Sequence, residues 1–166
     1  PSGDLDDKSF GENWDYNRAN FSREHDEWES TGFPVVKSSR NELKKFKENV
    51  MWVGHASIMI NHLNLTILTD PHFSDYASPI SFIGPKRITQ SPFRISDLPP
   101  IDIVIISHNH YDHLDENSIK KISTYQPKVK FLVPLGLKKL LTEWGAKDVT
   151  ELDWWQSIKI KGVTFQ

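Results

Sequence analysis

Five side chains able to bind a metal ion, His108, His110, Asp112, His113 and Asp115, crowd into the segment ISHNHYDHLD, directly after the apolar run IDIVII. His108 and His110 are two residues apart, so in an extended segment both imidazoles project to one side and can share an ion. Asp112 and His113 are adjacent and must diverge. That geometry suits two ions better than one: the histidine pair takes the first, and the Asp/His pair reaches a second about 3.5 to 4 Å away, as in two-metal hydrolytic sites. The chain has no cysteine, which removes disulfides and thiolate chemistry and leaves nitrogen and oxygen to hold any ion, a donor set that fits zinc, iron or manganese. Asp115, just before ENSIKK, is placed as a helix N-cap.

Other polar residues bear on this cluster less directly. His55, in VGHAS, follows a strand-like run and a glycine, and reads either as a group at or behind the metal site or as a structural hydrogen-bonding residue. Asp70 ends the run LTILT, and Pro71 holds it extended, so its carboxylate has a fixed direction. It either orients the metal loop from behind or caps a turn. His72 reads equally as a loop or a pocket histidine. Lys86 and Arg87 in GPKR would offer adjacent cations to a phosphate, but adjacent loop charges are usually solvated, and that is the expectation here. His25 and His62 read as surface residues.

The elements that must position these groups follow from hydrophobic patterning. From Val50 the short apolar runs VMWV, ASIMI and LTILT, with a turn at His62 to Asn64, read as a strand meander. Residues 71–100 form a long proline- and serine-rich connection, a length that is uncommon unless the loop has a function. IDIVII shows no alternation and reads as a strand buried on both faces, so the ligand cluster sits at a strand's carboxyl end, where open α/β sheets keep their active sites. A helix near ENSIKKISTY, the strand KVKFLV, a helix near LKKLLTEW and the strand VTEL follow, which implies a parallel part of the sheet with crossover helices. SIKIKGVTFQ reads as a hairpin turning at Lys161-Gly162. The expected division is a polar extension over 1–49 and a folded domain over 50–166.

Composition bounds the rest. A chain of 166 residues can bury its own core. With 37% hydrophobic and 25% charged residues and a formal net charge of −2, it gives no electrostatic reason to expect nucleic acid. No apolar run is long enough to span a bilayer. The expected location is cytoplasmic or peripheral to a membrane, with a processed N-terminus allowed by a first residue that is proline.

SHNHYDH matches the H-x-H-x-D-H signature of the metallo-β-lactamase superfamily. Together with WVGHASIMI, ILTDPHFSDYASP, GPKR, LPPIDIVIISHNHYDHLD, FLVPLGL and ELDWW, it resembles the branch containing N-acylphosphatidylethanolamine-hydrolysing phospholipase D and its bacterial relatives. The likeness runs from Met51 to Trp155. It implies an αβ/βα sandwich of which this chain covers about the first half. It also implies a di-zinc centre that cleaves a phosphodiester, with His108 and His110 on one zinc, Asp112 and His113 on the other, and Asp112 needed for catalysis. Asp70 and His55 are the residues expected behind the ligands. The family commonly has an apolar residue where this chain has His72, so no role passes to it. The family's later histidine, bridging aspartate and last histidine lie beyond Gln166. The implied partners are a phospholipid or small-molecule substrate, with peripheral membrane contact. The alternatives are a lactonase or other small-molecule hydrolase of the same fold, or a non-catalytic half that needs a complementary segment. A half-sandwich should expose Ile58, Ile60, Leu65 and Ile67 on the sheet's inner face, to be covered by the remaining half or a second copy.

Overall fold

The computed structural model describes residues 48–79, 83–87, 89 and 91–166. The extension expected over 1–49, and His25 with it, lie outside the described residues except for Glu48 and Asn49. Strands β1 (Asn49–Gly54), β2 (Ser57–His62) and β3 (Leu65–Thr69) form an antiparallel meander. Leu63 and Asn64 both have positive φ, 48° and 59°. That pair of left-handed residues matches the twist a two-residue hairpin turn requires, and asparagine tolerates it.

β4 (Ile103–Ile105), β5 (Lys130–Pro134) and β6 (Asp148–Leu152) then add in parallel, each beside the strand before it, giving one sheet in chain order. The crossovers are α1 (Glu116–Tyr125) and α2 (Lys138–Glu143). Asp115 does cap α1, accepting from the Asn117 amide at 3.2 Å. Ile119 and Ile122, three apart, are fully buried on the helix's inner stripe.

The helical face of the sheet holds the larger core. Met59, Leu68, Val104, Phe131 and Val133 pack there with Ile119, Ile122 and Leu141, and the long connection adds Phe93, Ile95, Leu98 and Ile101. The opposite face differs from expectation. The hairpin of β7 (Ile158–Ile160) and β8 (Val163–Phe165) folds over it, so Leu65 and Ile67 are buried with Ile103 and Leu132. The reason is apolar alternation in the hairpin, which sets Ile158, Ile160, Val163 and Phe165 against those four. The Lys161 Nζ to Asp102 Oδ1 contact at 2.6 Å secures its tip. Ile58 and Ile60 are half-buried, and toward the β1 edge Val50 and Trp52 remain exposed.

The hairpin turn gives a first test. Gly162 has φ +89°, and a Cβ there would meet nothing within 4 Å. Gly162→Ala should therefore cost only backbone strain, about 1 kcal/mol in chemical denaturation. An unchanged midpoint would mean the tip does not hold this conformation in solution.

Candidate metal centre

Because β1 and β3 both run antiparallel to β2, and β3 to β6 are mutually parallel, the carboxyl ends of five strands lie along one edge of the sheet. His55 leaves β1 there, Asp70 leaves β3, and the loop from Ser107 to His113 leaves β4. His55 and Asp70 both have left-handed backbones, φ 50° and 37°, so Asp70 is turned at the end of β3 and not extended as the proline after it predicts. Such conformations cost of order 1–3 kcal/mol in a non-glycine residue and persist where the surroundings impose them.

His55 Nε2 lies 2.7 Å from Asp112 Oδ2, and His113 Nε2 lies 3.4 Å from the same oxygen. The three ligand atoms are all within 4.8 Å of one another. Asp112 and His113 thus converge, where adjacency alone predicted divergence. The tight turn that does this has the His113 and Leu114 amides both donating to the His110 carbonyl, at 3.0 and 2.7 Å. The remaining two histidines stand alongside. The His108 ring centroid is 4.1 Å from that of His113 and 4.5 Å from that of His110. Burial works to raise the Asp112 carboxyl, but hydrogen bonding from His55, a backbone bond and the neighbouring histidines outweigh it and hold Asp112 below its usual range.

Asp70 stands behind this cluster. Its Oδ1 accepts from the Ser107 amide at 2.7 Å, and its Oδ2 accepts from Ser107 Oγ at 2.7 Å and His113 Nδ1 at 2.9 Å. A carboxylate only accepts, so His113 carries its proton on Nδ1 and turns the Nε2 lone pair toward Asp112 and His55. Ser107 Oγ, having donated to Asp70, is left to accept from His108 Nδ1 at 2.9 Å, which frees the His108 Nε2 lone pair in the same way.

Several of these supports carry no sequence signal of their own. Ser107 is one. Ser57, fully buried, donates to the Asp70 carbonyl at 2.6 Å and accepts from the His72 amide at 3.0 Å. Trp52 Nε1 donates to the His55 carbonyl at 2.8 Å. His72 is buried, and burial holds its pKa below the usual value against the pull of Asp115. The solvated reading of GPKR is corrected for Arg87, which is half-buried and donates to the carbonyls of His72 and Ser74. Lys86 is exposed, as expected, and so is His62, which pairs with Glu48 at 2.7 Å.

The model of the beta-lactamase superfamily domain matches residues 65–166. The N-acyl-phosphatidylethanolamine-hydrolyzing phospholipase D 1 of Caenorhabditis elegans is 42% identical over 111 residues, which are 64% of this chain and 31% of that protein. The mitochondrial N-acyl-phosphatidylethanolamine-hydrolyzing phospholipase D of Saccharomyces cerevisiae is 40% identical over 121 residues, 73% of this chain and 25% of that protein. The chain therefore spans a third or less of the length of these relatives. Among solved structures, CmlA, a diiron β-hydroxylase from Streptomyces venezuelae, superposes with a TM-score of 0.53 at 30% identity, covering 69% of this chain and 22% of that one.

Proposed function

Because this chain belongs to the beta-lactamase superfamily, with the sheet and crossover helices of the metallo-β-lactamase fold, we propose that the intact protein is a zinc-dependent hydrolase. Its reaction is that of a phosphodiesterase of the phospholipase D type, on an N-acyl phospholipid or similar amphiphile, with two ions in the complete centre. The observation that carries this reading is the convergence of His55, Asp112 and His113 within 4.8 Å, beside His108 and His110. The residues fit the ion. Ligand atoms around a tetrahedral zinc stand about 3.3 Å apart at bond lengths near 2.0 Å, and His113 Nε2 and Asp112 Oδ2 lie 3.4 Å apart. Lone pairs rather than N–H groups are presented by His113 and His108, because Asp70 and Ser107 take up their Nδ1 protons.

A divalent ion at such a centre supplies Lewis acidity and a nucleophile available at neutral pH. The chain's own residues prepare the place for it. His108 and His110 fall to one ion and Asp112 and His113 to the other. His55 supports Asp112 from 2.7 Å away. Asp70 fixes the ring of His113 so that it does not need to reorient on binding. An amphiphilic substrate is supported by the same sheet edge, where Tyr111 on the ligand loop, Leu135 after β5, and Trp154 and Trp155 after β6 are all exposed. Indole and phenol rings of this kind favour the boundary between water and acyl chains. Among the described residues no helix is long and apolar enough to cross a membrane, which leaves peripheral contact as the proposed mode.

The test is metal analysis of the intact protein together with product analysis on N-acyl phosphatidylethanolamine. About two equivalents of zinc, and release of phosphatidic acid that stops with chelator and returns with zinc, are expected. Less than about a tenth of an equivalent of any divalent ion in folded protein would sink the reading. Iron in place of zinc would correct the metal, and a cleaved lactone with no phosphatidic acid would correct the substrate.

A further inference from the structure

We propose that Arg87 is a positioning residue of the metal centre, holding in place the two strand ends that carry His55 and Asp70. The inference rests on reading the cluster as a metal centre and goes beyond it to name what sets its geometry. Arg87 comes from the loop between β3 and β4, and its hydrogen bonds to the described residues bypass the side chains of both His55 and Asp70. It acts on the backbone next to each.

On the Asp70 side, its guanidinium donates to the carbonyl of His72 and, at 3.3 Å, to that of Ser74. Nη2 also lies 3.1 Å from His72 Nδ1. An arginine only donates, so His72 must accept there, neutral and with its proton on Nε2. Asp115 grips the same loop from the opposite polarity. Its carboxylate accepts from the amides of Phe73 at 3.3 Å and Ser74 at 3.1 Å, and from the hydroxyls of Ser74 at 2.9 Å and Ser118 at 2.5 Å. The chain leaving Asp70 is therefore held by its carbonyls on Arg87 and by its amides on Asp115. On the His55 side the contact is steric. A Cβ built on Gly54 would fall 2.8 Å from Arg87 Nη1, so the guanidinium lies directly against the residue that precedes His55.

These contacts meet a need. Both His55 and Asp70 sit in left-handed conformations, which Asp and His adopt more readily than most residues but still at a cost that the surroundings must offset. A planar, five-donor group that meets both adjoining segments can impose them, whereas a lysine at the same place would supply one point charge and fewer directed bonds.

The experiment uses the intact protein with Zn2+ as the probe, in competition with a chelator, and the absorption spectrum of the Co2+-substituted form. The variants are Arg87→Lys and Arg87→Met, with Gly54→Ala as a third that drives the guanidinium away but also strains the backbone at φ +134°, so that it supports the proposal only in agreement with the other two. In folded variants, zinc affinity should fall by about 10- to 100-fold, the range found when groups supporting metal ligands are lost. The cobalt spectrum should shift, and kcat on bis(p-nitrophenyl) phosphate should fall with little change in KM. Folded variants with wild-type affinity and spectrum overturn the proposal, as does an affinity loss that only tracks the unfolded fraction. Should Arg87→Met not fold, Arg87→Lys decides between these outcomes. A wild-type protein that binds no zinc would instead refute the metal centre itself, which keeps the two failures apart.

Discussion

Asp112→Ala in the intact protein should lower phosphodiester turnover by about a thousandfold or more, since loss of an ion that contributes several kcal/mol to the transition state removes a factor of ten per 1.4 kcal/mol. Asp112 Oδ2 is the atom on which His55 and His113 both converge, at 2.7 and 3.4 Å. Removing it takes away the anionic donor of the group and leaves two imidazoles that bind an ion more weakly. The fold should survive. Asp112 is half-exposed on the ligand loop and belongs to neither apolar cluster. Asp112→Asn should behave almost as badly, because it keeps the volume and one acceptor oxygen but not the charge. Initial rates, bound metal and circular dichroism on the same preparation check this. Turnover within tenfold of wild type, from a folded Asp112→Ala protein, would reject a mechanism centred on this residue.

Asp70→Asn should have the second-largest effect, and by a different route. Asparagine tolerates the left-handed backbone that Asp70 adopts, so the strand end need not move. The amide nevertheless replaces one acceptor oxygen with a donor. With its NH2 group toward Ser107 Oγ and His113 Nδ1, the hydroxyl could turn to accept, but the His113 Nδ1–H would face a donor. With the amide turned over, the Ser107 N–H would lose its acceptor instead. Either arrangement leaves a group in a mostly buried site without a partner, at about 1 to 3 kcal/mol. His113 can escape by moving its proton to Nε2, which removes the lone pair offered to the ion. The expected outcome is a folded protein with zinc affinity reduced by about 10- to 100-fold. Nitrogen NMR of the imidazoles should show His113 changing tautomer. Unaltered affinity together with an Nδ1–H tautomer would show that Asp70 does not set the orientation of His113.

The parts of this structure legible in the sequence are those determined by near neighbours. The alternation of ASIMI and LTILT about Leu63-Asn64, the N-cap at Asp115, the turn at Lys161-Gly162 and the crowding of ligands behind IDIVII all declare themselves within a few residues. The conformation of Asp70 was not legible in this way: the proline after it predicts an extended residue, whereas the left-handed backbone at φ 37° and the direction of the carboxylate go with bonds to the distant Ser57 and Ser107. What was not legible depends on which distant segments meet. His55 and Asp112 are far apart in the chain, and only the common direction of β1, β3 and β4 brings them to one edge. Arg87 looks like an ordinary loop cation until two other loops close over its guanidinium. Ser57, Ser107 and Trp52 are common residues whose meaning lies in the single backbone or side-chain atom they reach. The hairpin's cover over Leu65 and Ile67 was not legible because alternation reveals an apolar face without naming what it packs on.

The chain-order sheet also bears on how such a protein is made. Each strand pairs with the one synthesised just before it, so during translation every new strand finds its template already waiting. The exception is the step from β3 to β4, where the long connection from Asp70 to Asp102 must be closed first, an entropic delay that grows only slowly with length. Contacts between near neighbours form fast, and the meander, whose pairings are all local, is complete in sequence before the ligand loop is made. The meander bearing His55 and Asp70 would then exist before the ligand loop leaves the exit tunnel. The receiving end of the centre would be waiting for its histidines, and a nascent chain stalled within the connection would present the open edge of β3 to the chaperones of the cell.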